Sequence, residues 1–435
     1  MKKVASFALG CKVNQYESEA IAELFKAKGY EITGIDDYAD IYIINTCTVT
    51  NFGDKKSRQL IRKVKRRNPD AFVAVAGCYA QTSPEEVLSI EGVNLVLGTS
   101  GRNEIVRLVE EEMGKNDKKS FINEIMKERS FEELSVTDLE DRTRAYIKIQ
   151  DGCDRFCSYC IIPYARGPVR SRPLEDIKKE IKRLAENGFK EVVLTGIHVE
   201  SYGKDLKDVS LLDVIRMANG EEGIRRIRLS SVEPRIITEE FMAEVSKMSK
   251  FCRHFHLSLQ SGCGKTLKEM NRRYTPEEYR SAVNTVRKYM PDAGLTTDII
   301  AGFPGETDED FKESYDFARE MGFLKIHAFP YSPKKGTPAA VRKDQLHNNV
   351  KAERTKALIE LSDETGLKFI SSFAGKNMEV LFERRHNDGL WEGYTSNYIK
   401  VHVKSDENLE NEIKTVKITR ALAEQAEGET VKLVN

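Results

Sequence analysis

Charge of one sign is not in excess in this chain. Its 69 Lys and Arg are matched by 69 Asp and Glu, so the formal net charge is zero. That excludes a globally basic nucleic-acid binder, though not a locally basic one. Long apolar runs are also missing: no stretch approaches the ~20 residues a membrane helix needs. The start MKKVASFALGC imitates a lipoprotein signal, but the apolar run Val4 to Leu9 is shorter than the about 7–15 residues of a signal core. Polar Lys12, Asn14 and Gln15 follow at once. The segment therefore reads as a buried first strand in a cytoplasmic protein with no membrane partner. No G-x-x-x-x-G-K-[ST] loop is present, which argues against a P-loop nucleotidase. Cysteine is sparse. Eight in 435 residues exclude a disulfide scaffold, and in a reducing compartment clustered thiols point to metal or catalysis. What is there, 40% apolar and 32% charged residues, suits a globular protein. A length of 435 residues exceeds one core and implies about three domains.

The pattern along the chain is α/β and multidomain. In residues 1–113, strands are expected at Val4 to Leu9, Ile41 to Ile44, Phe72 to Ala76 and Val93 to Leu97. Helical patterns fall between them at Asn14 to Lys28, Phe52 to Arg67 and Pro84 to Ile90. Such alternation predicts an open parallel α/β sheet. Residues 114–141 are charged and read as a linker. Residues 142–370 hold six strand candidates: Ala145 to Ile149, Val192 to Thr195, Ile224 to Leu229, His254 to Leu259, Leu295 to Ile300 and Leu324 to Phe329. A long helix, Asp344 to Ser371, closes the region. Six βα units predict a partial (β/α)6 barrel. Residues 371–435 carry five short β-type runs, from MEVLFE to ETVKLV, which predict a small antiparallel OB-like β-barrel.

Three cysteines, Cys153, Cys157 and Cys160, form C-x-x-x-C-x-x-C just after a predicted strand. Three thiolates on one loop hold three irons of a 4Fe–4S cube and leave the fourth open for a ligand. Zinc wants four closed ligands, and no fourth Cys or His lies nearby. Cys11, Cys47 and Cys78 are far apart in sequence. Yet each falls within three residues of the end of a predicted parallel strand, where ligands bind in open sheets. Gly10 and Gly77 precede two of them and allow close backbone approach. Either these three converge on a second metal site, or they are three core cysteines, since free Cys is commonly buried. Cys252 and Cys263 have no spacing partner and read as bystanders. The seven histidines show no metal spacing.

Polar residues and glycines collect at the strand ends of the central region: Thr195 and Gly196, Glu233, Gln260, and Gly302 within DIIAGFPGE. Barrel active sites lie there. Glu233 is suited to a ribose hydroxyl or an amino group, and Arg272 to a carboxylate. A basic run stands out as well. Residues 55–67, KKSRQLIRKVKRR, hold eight Lys or Arg and no acid: Lys55, Lys56, Arg58, Arg62, Lys63, Lys65, Arg66 and Arg67. A one-sign helix face beside a metal site predicts phosphate contact. Arg166, Arg170 and Arg172, after the three-cysteine loop, extend the expectation. The last 60 residues do not, with nine basic and eleven acidic side chains.

Over nearly its whole length the chain resembles the radical S-adenosylmethionine (SAM) methylthiotransferases. The resemblance rests on GCKVNQYES, NTCTVT, AGCYAQ, DGCDRFCSYCIIPYARGPVRSR, LTGIHVESYG, QSG, MNRRYT and DIIAGFPGET. It implies an N-terminal cluster domain, a radical SAM barrel and a C-terminal TRAM domain. It implies two 4Fe–4S clusters, on Cys153, Cys157 and Cys160 and on Cys11, Cys47 and Cys78. Tyr159, Thr195, Gly196, Glu233, Gln260, Arg272 and Gly302 would hold SAM. The implied partners are tRNA and a one-electron donor such as flavodoxin or ferredoxin; the sulfur donor is not implied. Of three branches, GCKVNQYE and LSSVEP look like the one that modifies threonylcarbamoyladenosine at position 37 of tRNA. The others act on isopentenyladenosine in tRNA or on a ribosomal-protein aspartate. A non-catalytic, metal-stabilised RNA-binding protein is the alternative of another class.

Overall fold

The computed structural model describes residues 1–115, 117–136 and 143–431. The first sheet holds β1 (Lys3–Ala8), β2 (Glu31–Thr33), β3 (Ile41–Thr46), β4 (Phe72–Gly77), β5 (Leu95–Leu97) and β6 (Lys119–Phe121). Their order is β2-β1-β3-β4-β5-β6, and all pairs are parallel. Strands β3 and β4 are buried at every position, as central strands covered on both faces must be. Helix α1 (Lys12–Ala27) follows β1 and packs Ile21 and Phe25 on one face of the sheet. Helix α2 (Asn51–Arg67) follows β3 and packs Ile61 and Val64 on the other. The chain thus leaves β1 and β3 toward opposite faces, which opens a crevice between their carboxyl ends. Helices α3 (Cys78–Thr82), α4 (Pro84–Ser89) and α5 (Ile105–Glu112) complete the unit. Strand β6 falls inside the expected linker. It gives β5 a second partner, so the first unit continues past residue 113; residues 137–142 of that linker lie outside the described residues.

The second unit contains β7 (Arg144–Asp151), β8 (Arg170–Ser171), β9 (Glu191–Gly196), β10 (Arg226–Leu229), β11 (His254–His256), β12 (Gly294–Ala301) and β13 (Lys325–Pro330). They form sheets ordered β10-β9-β7-β8 and β11-β12-β13. Single bridges, Ile227 to Phe251 and Val232 to Leu257, join the two. The result is the expected open six-stranded barrel, plus the short antiparallel β8 on its β7 edge. Helices α6 (Ile162–Arg166) and α7 (Leu174–Glu186) follow β7 and β8. Ala145, Ile147 and Ile149 pack outward on Ile177, Ile181 and Leu184 of α7. The two-residue period then turns Arg144, Lys148 and Gln150 into the lumen.

After a long helix, Asn348–Ser371, comes a closed barrel of β14 (Asn377–Arg385), β15 (Leu390–Thr395), β16 (Lys400–Lys404), β17 (Ile413–Ala421) and β18 (Ala426–Thr430). Closure removes the exposed edges that five short strands would present. It is achieved by one parallel pair, β16 with β18, among otherwise antiparallel ones. The last strand starts at Ala426, earlier than ETVKLV suggested; residues 432–435 lie outside the described set. This barrel seals the lower mouth of the central one. Arg226 donates to the Tyr394 and Glu379 carbonyls, and Tyr398 stacks on His254 with ring centroids 4.4 Å apart. No helix among the described residues is long and apolar enough to cross a membrane.

Candidate functional site

The Cys153, Cys157 and Cys160 loop leaves the carboxyl end of β7 at Gly152. That residue has φ +75°, and a Cβ there would lie 1.8 Å from the Pro168 carbonyl oxygen, so only glycine fits. The loop is pinned by Cys153 N–H to the Gly167 carbonyl (3.0 Å) and Ser158 N–H to the Met270 carbonyl (3.0 Å). All three thiols are free. Burial pushes the thiols of Cys153 and Cys160 up to about 12, and the neighbouring cysteines add to it. Arg272 donates from Nη1 to Cys157 Sγ (3.3 Å) and pairs from Nη2 with Glu233 (2.9 Å). Three free, crowded thiols, one buried and two half-buried, with one guanidinium donor suit a cationic iron cluster, which removes the penalty on their anionic forms.

Folding also gathers the three distant cysteines. Cys11 and Cys47 flank the crevice between β1 and β3, and Cys78 starts α3 beyond β4, the next strand. Gly10 has φ +102°, and a Cβ there would lie 2.8 Å from Cys47 Sγ. That closeness requires glycine. The thiol of Cys47 is pushed up to about 12 by burial first and then by the charges of Cys78 and Cys11. Arg166 donates from Nε to Cys78 Sγ (3.2 Å). The donor set matches the first: three free thiols and one guanidinium. It too suits an iron–sulfur cluster held by three cysteines.

Arg166 comes from α6, in the second unit, so it ties the distant cysteine set to that unit. It is fully buried and also donates to Asn14 Oδ1 (2.6 Å) and Glu17 Oε2 (3.0 Å) of α1. Arg170 and Arg172 are buried too, at 3% and 5% exposure. Arg170 donates to the Arg166 and Pro168 carbonyls, and Arg172 pairs with Glu180. The expectation that these three contact phosphate is therefore corrected: buried ion pairs consume them, Arg166 with Glu17 across the two units and Arg170 and Arg172 with Asp151 and Glu180 within the second. A basic residue in an Arg-rich loop looks the same in sequence whether it faces solvent or a carboxylate.

The α2 run behaves differently. Lys55, Lys56, Arg62, Lys63 and Arg66 are exposed. Lys63 and Arg67 are drawn to Asp36, Arg58 to Tyr79 and Glu86, and Lys65 to the Ala71 carbonyl. Lys55, Arg62 and Arg66 have no ion-pair partner among the described residues. The helix begins four residues after Cys47, with Thr50 as its N-cap accepting from Gly53 N–H. The basic face therefore starts at the edge of the cysteine crevice.

Beside Cys160 lies a cavity of about 230 Å³ shared by the two units. Val49 and Thr50 of the first unit line it, with Tyr159, Cys160, Gln260 and Asp298 of the second. Tyr159 and Gln260 thus meet at the site; Gln260 has φ +66° and donates its N–H to the Asp298 carbonyl (2.8 Å). Glu233 is held by Arg272, Arg155 and His198, so Glu233 and Arg272 are partners in this structure rather than free ligand groups. Gly196 lies against Gln150, and Thr195 is buried in the lumen wall. Gly302 N–H donates to Glu306, and a Cβ at this φ of +73° would meet Lys351. His386, Glu392 and His402, unconnected by spacing, converge on the C-terminal barrel. Cys252 and Cys263 are buried.

Comparison with known proteins agrees with this layout. Residues 147–318 match the Radical SAM superfamily, residues 3–98 the uncharacterized protein family UPF0004, and residues 371–431 the TRAM domain. The radical SAM match brings with it one 4Fe–4S cluster and SAM. The chain is 44% identical over 439 residues to the threonylcarbamoyladenosine tRNA methylthiotransferase MtaB of Bacillus subtilis, covering 100% of this chain and 97% of that protein. It is 37% identical to the MtaB of Thermotoga maritima, covering 92% and 91%. It is also 37% identical to the tRNA-2-methylthio-N(6)-dimethylallyladenosine synthase of Thermoanaerobacter pseudethanolicus, covering 98% and 92%. Among solved structures it is similar in fold to the radical SAM methyltransferase TsrM of Kitasatospora setae, with TM-score 0.56, 17% identity, and 90% and 80% of the two chains covered. The chain belongs to the radical SAM methylthiotransferase family.

Proposed function

We propose that this enzyme methylthiolates carbon 2 of N6-threonylcarbamoyladenosine at position 37 of tRNA, in the cytoplasm, with two 4Fe–4S clusters. The carrying observation is the pair of three-cysteine sets, one on the β7 loop and one at the ends of β1, β3 and β4, with Arg166 of the second unit donating to Cys78 of the first. One set without the other would serve SAM cleavage but leave no place for the sulfur. The substrate assignment is supported by the names of the relatives that match over the whole chain. When bound, the clusters and SAM supply the electron, the radical and the sulfur; the protein supplies position and electrostatics. Cys153, Cys157 and Cys160 would hold the SAM cluster, with Arg272 donating to Cys157. Cys11, Cys47 and Cys78 would hold the second, with Arg166 donating to Cys78. Such N–H donors to cluster sulfurs tune the reduction potential. Tyr159 and Gln260 wall the cavity in which SAM and the target base would meet. Lys55, Arg62 and Arg66 present an uncompensated basic face to the tRNA backbone.

The test is nucleoside mass spectrometry of tRNA from cells with and without the gene. Loss of the methylthio form of threonylcarbamoyladenosine is expected. Loss of the methylthio form of dimethylallyladenosine instead would move the substrate to the other tRNA branch, whose named relatives also match the full chain. Anaerobic reconstitution should give about eight irons per chain, and four would remove the second cluster.

A further inference from the structure

Spacing connects none of the seven histidines, yet the C-terminal barrel brings two of them together. Strand β14 ends at Arg385, and His386 opens the turn to β15. The turn is tight: His386 N–H donates to the Leu390 carbonyl at 2.8 Å, and Gly389 N–H donates back to the His386 carbonyl at 3.0 Å. Glu392 on β15 and His402 on β16 stand directly opposite each other in the antiparallel register, so they share a face. A turn and two strands thus gather three side chains that lie six and ten residues apart in sequence.

Both imidazoles address one atom. Nε2 of His386 and Nε2 of His402 each lie 3.3 Å from Glu392 Oε2. The three ligand atoms all lie within 4.8 Å of one another, and the two rings meet edge to face with centroids 5.5 Å apart. Arg384 Nη2 reaches the same oxygen at 3.3 Å. One carboxylate oxygen offers about two lone-pair sites, so three N–H donors oversubscribe it. A metal cation between the rings and the carboxylate resolves the conflict, because both nitrogens then present lone pairs instead of protons. The distances also select a geometry. With zinc bonds of about 2.0–2.2 Å, a tetrahedron has edges of about 3.3–3.5 Å. The right-angled edge of an octahedron with bonds of about 2.0–2.1 Å spans only about 2.9 Å. Glu392 is buried and His386 half-exposed, so the group opens to solvent on the His386 side.

We propose that His386, Glu392 and His402 bind one borderline divalent metal cation, zinc by preference, at a site made without any of the six cluster cysteines. Imidazole and carboxylate donors suit such a cation, and zinc outcompetes iron(II) for them. Water takes the fourth position. The metal staples the β14–β15 turn to β16. Two cations compete with it for the carboxylate, Arg384 at 3.0 Å and Lys400 at 3.8 Å. Their side chains reach solvent and can turn away, but their charge sets the affinity below that of a closed four-ligand zinc site.

The experiment uses the full-length enzyme with its iron clusters loaded anaerobically, so that the six cysteines are occupied. The protein is dialysed against micromolar zinc chloride, and zinc and iron are counted by plasma mass spectrometry. One zinc per chain is expected, with iron content unchanged. His386→Gln and His402→Gln should each weaken zinc binding by more than the about ten- to hundredfold that loss of an outer-shell partner costs. Arg384→Ala should tighten it, since a competing cation is removed. Trp391 adjoins Glu392 and is the only tryptophan; the barrel unfolding midpoint read from its fluorescence should rise with zinc in the wild type and not in His402→Gln. Should either histidine variant unfold early without zinc, Arg384→Ala, which removes a rival rather than a ligand, decides by itself. No zinc on the wild type, equal retention by the histidine variants, or looser binding in Arg384→Ala overturns the proposal. Zinc gained at the expense of iron overturns it as well, because the metal then sits on the cluster cysteines.

Discussion

Neutralising one buried carboxylate should loosen the first domain from the barrel. Glu17 on α1 is fully buried and receives three cations: Lys148 of β7 at 2.8 Å, Arg166 of α6 at 2.5 Å and Arg102 at 2.5 Å. Two of those cations belong to the second domain. Their other carboxylates are Asp151, beside Lys148 and Arg166, and Glu132, beside Arg102. Glu17→Gln keeps the shape but leaves three buried cations sharing two carboxylates. Breaking a buried pair from one side costs about 3–5 kcal/mol. At tenfold per ~1.4 kcal/mol, the interface should open some hundreds to thousands of times more often. Native-state hydrogen exchange of the α1 amides, measured anaerobically, reads that change directly. The pH dependence has a defined sign. Burial alone would raise the Glu17 carboxyl, but Arg102, Arg166 and Lys148 reverse this and hold it well below its ordinary value. Its stabilisation is therefore present above the unfolded value of about 4.3 and is lost as pH falls below it. Glu17→Gln should flatten this acid limb. If α1 protection changes by less than about tenfold, the network does not hold the domains together and the reasoning fails.

Other consequences are equally open to measurement. Gly152→Ala meets the Pro168 carbonyl at a left-handed φ, so it should misplace the Cys153 to Cys160 loop and lower iron content by about four per chain while the Cys11, Cys47 and Cys78 set still loads. Reversing Lys55, Arg62 and Arg66 to Glu should weaken tRNA binding and reduce the slope of log affinity against log salt by about three contacts' worth. The same change made at Arg166, Arg170 and Arg172 should instead prevent stable folding, because those side chains are buried. Trp391 is the only tryptophan and is buried in the C-terminal barrel. Its fluorescence should therefore report unfolding of that domain alone, and a transition coinciding with loss of cluster absorbance would show the domains unfold as one unit.

What the sequence settled by itself was local. Strand and helix periods placed the sheet, the six βα units and the small barrel, because side-chain alternation is a property of each element. The Cys153 to Cys160 loop was legible for the same reason: its ligands lie within one turn of chain. Cys11, Cys47 and Cys78 could be placed at strand ends, but whether they met depended on strand order. Only the β1–β3 switch and the neighbouring β4 decided that. Charge was the least legible feature. Arg166 and Arg62 sit in similarly basic stretches, yet one is wholly buried against Glu17 and Cys78 while the other faces solvent. A charge's worth is set by the partners and water that surround it, and those are brought together from residues as distant as Glu17, Arg102 and Arg166.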